Sequence, residues 1–189
     1  MTVPRDYRGL IKTFREYPQE IQDFYFRFPA LVAASDVGWE APVSYLLVKF
    51  EYALMVTLYS GIVRHFGTDP EETWKELKNA MITRNSYKDQ FENIFSTALS
   101  PALMKKIRQI SDTRNELFHG KLPEPARLRK TMIEIFDFSK AFNEFVLKVG
   151  CFKPIGSLQG VIKSGKFSKK MAITKWVIKG LGFTKEGII

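Results

Sequence analysis

The chain has 189 residues, of which 45% are hydrophobic and 26% are charged, and its formal net charge is +9. This length and composition are typical of a soluble globular protein and exclude a disordered chain. The single cysteine, Cys151, excludes an internal disulfide framework. The two histidines, His65 and His119, are too few for a Cys/His zinc site, so we expect no metal and no cofactor.

The positive charge is concentrated near the C-terminus. Residues 148–189 contain nine lysines and one acidic residue, Glu186, whereas residues 1–147 are almost neutral. A basic segment of this kind is typical of proteins that bind RNA, DNA or an anionic membrane surface, and a tail that only aids solubility is the alternative. The N-terminus lacks the apolar run of a signal peptide, so we expect a cytoplasmic location.

Hydrophobic periodicity predicts helices along most of the chain before residue 148. Residues 7–17 show helical spacing, and short helices are expected in the aromatic-rich segment around Pro29. A long apolar helix follows over roughly residues 43–66. It contains Lys49 and Glu51, which favour a core helix over a membrane span.

Cap residues predict where the later helices begin and end. Asp69 and Ser100 each precede a proline, as an N-cap precedes the first position of a helix. The helix after Ser100 should run to about residue 119, because Gly120 can end it in a left-handed conformation. The last strong helix should cover about residues 126–148.

These elements predict an all-α bundle with three parts. Residues 1–42 form an N-terminal helical segment that packs on the bundle, and residues 43–148 form the bundle. Residues 149–189 form a basic, partly irregular C-terminal extension, with a short amphipathic helix around Trp176.

The segment SDTRNELFHGK, residues 111–121, carries the residues of greatest chemical interest. The core-facing positions of this predicted helix begin before the segment and continue within it, at alternating spacings of four and three residues. They are Leu103, Ile107, Ile110, Arg114 and Leu117. Arg114 therefore occupies a position where an aliphatic side chain is expected. A guanidinium there needs a paired acid or a cleft that binds an anion.

A polar strip lies beside Arg114, because Ser111, Asn115 and His119 are four residues apart. Arg114 and His119 are about 140° apart around the helix axis. They can act on one substrate only if it lies over the last helical turn. The alternative is that two copies of the helix meet across a two-fold axis. Glu51 interrupts a row of leucines on the long helix, so we predict that it pairs with Arg114. A solvent-exposed glutamate is the alternative.

The tripeptide TRN also occurs at residues 83–85, where no histidine follows it. This second copy lies at a predicted helix boundary. We therefore interpret Arg84 and Asn85 as cap and surface residues.

The sequence RNELFH, residues 114–119, resembles the motif of the HEPN superfamily. That motif is an arginine, four to six residues, and a histidine, with a polar residue often directly after the arginine. The resemblance implies a helical bundle that dimerises, so that two motifs form one composite cleft. Many members are metal-independent endoribonucleases of toxin–antitoxin, abortive-infection or CRISPR-associated systems.

The resemblance also implies residue roles and partners. Arg114 would bind the scissile phosphate, Asn115 would orient it and His119 would move protons. RNA, a second copy of the chain and a cognate antitoxin or other protein are the partners implied. One subgroup, paired with nucleotidyltransferase antitoxins, has a tyrosine two residues after the histidine. Lys121 stands there in this chain, which disfavours that subgroup.

The chemistry also follows from the residue types. RNA carries its own nucleophile, the 2′-hydroxyl, and an imidazole with a pKa near neutrality can act as acid or base. A fixed guanidinium can hold a phosphate and offset the charge of the transition state. Glu51 and Ser111 would support this site, and the basic extension would add affinity for the RNA backbone, with Phe167 as a further stacking surface. The predicted RNA-binding residues are Lys121, Lys163, Lys166, Lys169, Lys170, Lys175 and Trp176.

Other functions fit the same sequence. The first is a non-catalytic HEPN-like module that binds RNA, a nucleotide or a protein. The second is a structural role, in which Arg114 and His119 form a polar pair within a dimer interface. The third is an adaptor that binds DNA or a membrane through its basic extension, although a membrane is the less expected partner.

Overall fold

The structure is a computed structural model that describes residues 3–34, 38–80, 82–157 and 171–183. Within these ranges the chain forms helices and no strand, which confirms the prediction of an all-α fold. The helices are α1 (Tyr7–Phe14), α2 (Gln19–Phe24), α3 (Phe28–Ala33), α4 (Glu40–Phe66), α5 (Pro70–Lys78), α6 (Arg84–Phe95), α7 (Pro101–Phe118), α8 (Pro125–Gly150) and α9 (Met171–Gly180).

The long helix α4 lies at the centre and contacts α3, α5, α6, α7 and α8. It begins at Glu40, three residues before the predicted start, because Pro42 is tolerated in the first turn of a helix. It ends at Gly67, which is left-handed with φ of 60°. Length and composition would allow α4 to span a membrane, but 61% of its most apolar window is buried in the bundle. Such burial is consistent with the core helix of a soluble protein.

The predicted helix starts at Asp69 and Ser100 are confirmed. Each side chain accepts a hydrogen bond from the backbone N–H three residues further on, and each is followed by a proline. Thr83 caps α6 in the same way and forms a reciprocal capping box with Ser86. The second TRN segment therefore starts a helix, as predicted, and Asn85 is exposed. The cap is Thr83, however, and Arg84 is the first helical residue.

Aromatic rings hold the N-terminal helices on α8. The Phe136 ring lies between 4.9 and 5.5 Å, centroid to centroid, from the rings of Phe14, Tyr17, Tyr25 and Phe28. Each such pair adds about 0.5–1.5 kcal/mol beyond the apolar area that it buries. Helices α1 to α3 therefore share one core with α8.

The C-terminal extension begins as part of this core. Phe152 and Ile155 are buried. The buried side chain of Asn143, on α8, donates to the carbonyl of Ile155 at 2.7 Å and accepts from its N–H at 2.9 Å. One amide thus satisfies both backbone groups of a buried loop residue.

Replacement of Asn143 with alanine should destabilise the protein by about 2–3 kcal/mol, because both Ile155 backbone groups lose their partner. Urea unfolding measures this change, and Asn79→Ala is the matched control. The Asn79 amide makes one exposed bond to the carbonyl of Lys75, so its loss should cost less than about 1 kcal/mol. Equal destabilisation by the two variants would contradict the role assigned to Asn143.

Helix α9 covers α5. Its residues Thr174 and Ile178 are buried, and the Thr174 hydroxyl accepts a hydrogen bond from the backbone N–H of Asp69 at 3.2 Å. Beyond the helix, Leu181 and Phe183 are also buried. The described end of the extension is therefore docked on the bundle by an apolar face.

Candidate functional site

The motif lies at the C-terminal end of α7, where the backbone forms a Schellman ending. Gly120 has a φ of 74°, and its N–H donates to the carbonyl of Leu117 at 3.1 Å. The N–H of Lys121 donates to the carbonyl of Glu116 at 2.9 Å. The predicted left-handed glycine is confirmed, and His119 becomes the C-cap residue.

Three side chains contact the guanidinium of Arg114. Its Nε lies 2.9 Å from Oε1 of Glu51, although the N–H does not point at that oxygen, so the contact is an ion pair without a hydrogen bond. Its Nη1 donates to Oδ1 of Asn115 at 3.4 Å, and its Cζ lies 4.7 Å from the centroid of the Phe118 ring. The predicted contact between Glu51 and Arg114 is confirmed.

The prediction that Arg114 faces the core needs correction. Its neighbour in the heptad row, Ile110, is fully buried, but the Arg114 side chain is 38% exposed and Glu51 is 50% exposed. The reason is the length of arginine, whose apolar stem packs while its charged head reaches the rim. An ion pair this exposed is screened by water and contributes about 0–1 kcal/mol to stability. Folding therefore gains little from it.

An open groove of about 680 Å³ runs beside this ion pair, between α4, α7 and the connection from α5 to α6. Four predicted site residues line it together with an apolar wall. They are Glu51, Ser111, Arg114 and Asn115. The wall includes Phe50, Leu54 and Ile107. Such a volume lies within the range of small-ligand sites. These four residues therefore offer a guanidinium, a carboxylate and two neutral polar side chains beside apolar surface.

The groove also contains residues that the sequence did not indicate. Lys78 and Thr83 line it from the side of α5 and α6. The Lys78 ammonium stacks on the ring of Trp74, with Nζ 5.4 Å from the ring centroid. No local sequence pattern places Lys78 and Thr83 near α7. Their position beside the groove depends on how α5 and α6 pack against α4.

His119 does not line this groove. It is exposed at the helix end, where it leaves α7 about 140° from Arg114. Lys121, two residues later, is exposed as well. One chain therefore brings Arg114, Asn115, Ser111 and Glu51 together, but it does not add the imidazole to them.

Exposed apolar side chains lie on both helices that carry the ion pair. Phe118, stacked on Arg114, is 58% exposed, and Leu122 just beyond α7 is 79% exposed. Val48, three residues before Glu51 on α4, is 56% exposed. Large apolar side chains that gather on one surface are typical of interaction sites.

The extension residues predicted to bind RNA fall into two groups. Lys163, Lys166, Phe167, Lys169 and Lys170 lie outside the described residues. Lys175 is in α9, with its Nζ 3.3 Å from Oε1 of Glu72 and 3.9 Å from Oε1 of Glu76. Trp176 is 76% exposed. Lys175 thus already has acidic partners, whereas the ring of Trp176 is accessible.

His65, the second histidine, lies near the end of α4 against the edge of Phe95, with the ring centroids 5.5 Å apart. Burial, and next the charge of Arg64 beside it, lower the pKa of His65, so its ring is neutral at pH 7. It belongs to the packing of α4 on α6. Among the described residues, no group of three or more His, Cys, Asp or Glu side chains is placed to hold a metal ion.

No protein-family model, no curated protein and no solved structure matches this chain. Membership of the HEPN superfamily therefore stays a prediction from the RNELFH motif of the sequence.

Proposed function

We propose that the protein is a metal-independent endoribonuclease of HEPN type, in which two subunits form one cleft around RNA. The observation that supports this function is the position of Arg114. Its guanidinium is contacted by Glu51, Asn115 and Phe118 at the wall of a groove that can accept a nucleotide. A positioned guanidinium that is not needed for folding is well suited to bind a phosphate.

The reaction needs no group other than those in the motif. The imidazole of His119 accepts the proton of the ribose 2′-hydroxyl, and the 2′-oxygen attacks the adjacent phosphorus. The bond to the 5′-oxygen breaks, a 2′,3′-cyclic phosphate forms, and the leaving oxygen takes up a proton from an imidazolium. Arg114 offsets the negative charge that grows on the phosphate oxygens.

A dimer supplies the imidazole that one chain lacks at the groove. The exposed Phe118 ring stacks on Arg114, and the exposed Val48 lies three residues before Glu51 on α4, so a second copy that covers them would bury apolar area at the motif. The two α7 ends would then approach each other, and His119 of one subunit would face Arg114 of the other. A cytoplasmic defence role, with an antitoxin or other protein partner, is part of the same proposal.

A specific observation favours a second candidate, a non-catalytic module that binds RNA, a nucleotide or a protein. Glu51 already occupies one side of the Arg114 guanidinium, and His119 lies away from the groove. An anion at Arg114 must then compete with a carboxylate. Binding without cleavage would need only the groove and its cation.

The test of the enzyme is cleavage of single-stranded RNA in excess EDTA by the wild-type protein and by His119→Ala. Cleavage that survives the chelator and is lost in the variant supports a metal-independent nuclease. No cleavage, or equal cleavage by both proteins, contradicts it, because equal cleavage would come from a contaminant.

Replacement of Glu51 with glutamine should increase the affinity for RNA about three- to tenfold, because the competing negative charge is removed from Arg114. Stability should change by less than about 1 kcal/mol. Fluorescence anisotropy with a 2′-deoxy-substituted oligonucleotide measures binding without cleavage. Glu92→Gln is the control, since it removes the same charge from an exposed position on α6. Equal affinities of the two variants would show that Glu51 does not compete for the anion.

A further inference from the structure

Helix α9 has a second apolar face that no described residue covers. Thr174 and Ile178 face α5 and are buried. Trp176 is about 160° from both around the helix axis, and its side chain is 76% exposed. Ile173, about 60° from Trp176, is 45% exposed.

The inner contacts of α9 hold this outer face in place. Lys175 pairs with Glu72 and Glu76, whose side chains are only 8% and 11% exposed. The carbonyl groups of Leu181 and Gly182, just after α9, accept hydrogen bonds from α6 side chains at 3.4 Å. Trp176 thus projects from a helix that is fixed on the bundle.

Positive charge accompanies this face. Lys179 is exposed and lies about 60° from Trp176 on the side opposite Ile173. In the sequence, four lysines come within the thirteen residues before α9, and residues 148–189 carry nine lysines against one glutamate. The apolar face is therefore flanked by one exposed lysine in the structure and preceded by four lysines in the sequence.

We infer that the outer face of α9 binds the surface of an anionic lipid bilayer. At the boundary between headgroups and acyl chains, a tryptophan ring and aliphatic side chains can be buried together while lysines contact anionic headgroups. RNA fits this face less well. A base can stack on Trp176 but gains nothing from Ile173. The described helices would then lie against the membrane surface through α9.

The test is flotation of the full-length protein with lipid vesicles. The wild type should float with vesicles of phosphatidylcholine mixed with phosphatidylserine, and not with vesicles of phosphatidylcholine alone. Trp176→Ala should lower the partition coefficient about tenfold and Ile173→Ser about threefold. Phe26→Ala is the matched control, since Phe26 is 63% exposed on another part of the surface. That variant should float like the wild type.

Three results would overturn the inference. They are no flotation of the wild type, equal flotation of Trp176→Ala and the wild type, and a loss of RNA affinity in Trp176→Ala with unchanged vesicle binding. The last result would assign the face to RNA. Because Trp176 and Ile173 are exposed, thermal unfolding of both variants should match that of the wild type.

Discussion

Replacement of His119 with alanine should reduce the rate of RNA cleavage by about 10²–10⁴-fold, with EDTA present throughout. The imidazole is the one side chain of the motif suited to both accept and donate a proton, so no neighbouring residue can take over its proton transfer. His119 is exposed and lies just outside α7. Its loss should therefore leave the thermal unfolding midpoint unchanged, which separates a chemical effect from unfolding.

Arg114 variants test the second half of the motif in the same assay. Arg114→Ala should reduce cleavage by about 10²–10³-fold, because the charge on the phosphate oxygens loses its partner. Arg114→Lys should recover only a small part of the lost cleavage rate, since an ammonium lacks the planar pair of donors that a guanidinium has. Arg108→Ala is the matched control: it removes an arginine from an exposed position on the same helix. A similar loss in Arg108→Ala would mean that only the overall positive charge matters.

Local patterns predicted α7 and its ion pair well. The Ser100 cap and the left-handed Gly120 are local features that appear in the structure, and the heptad row is buried as far as Ile110. The contact between Glu51 and Arg114 followed from two charged residues that each interrupt an apolar row. The exposure of these two side chains could not be predicted from the sequence. Helical periodicity shows on which side of a helix a residue lies, but not how far its side chain reaches beyond the neighbouring helix.

Other features depend on tertiary packing and have no sequence signal. Lys78 and Thr83 line the groove from the end of α5 and the start of α6. Helix α6 also packs tightly on α4, where a Cβ at Gly61 would lie 2.6 Å from Ile94 and Phe95 side-chain atoms. The sequence also did not show that one face of α9 packs on the bundle, because the lysines of this segment indicated only its basic character. Only two buried positions, a threonine and an isoleucine, mark its inner face. Helical spacing alone could not choose that face over the one with Trp176.

Mixing two inactive variants should restore cleavage if the site is composite. Arg114→Ala subunits keep the histidine and His119→Ala subunits keep the arginine. In a mixed dimer, one of the two arginine–histidine pairs of the shared cleft is then intact, and the other pair lacks both residues. Because random exchange gives mixed dimers in half of the pairs, the mixture should reach about one quarter of the wild-type rate.

The central claim is that Arg114 and His119 of different subunits act on one phosphate, and this mixture tests it most directly. The measurement is the initial rate of cleavage of a labelled RNA in EDTA, after the two variants have exchanged subunits. The account predicts no activity for either variant alone and about a quarter of the wild-type rate for the mixture. A mixture as inactive as its components, with subunit exchange verified by labelled chains, would contradict the shared cleft.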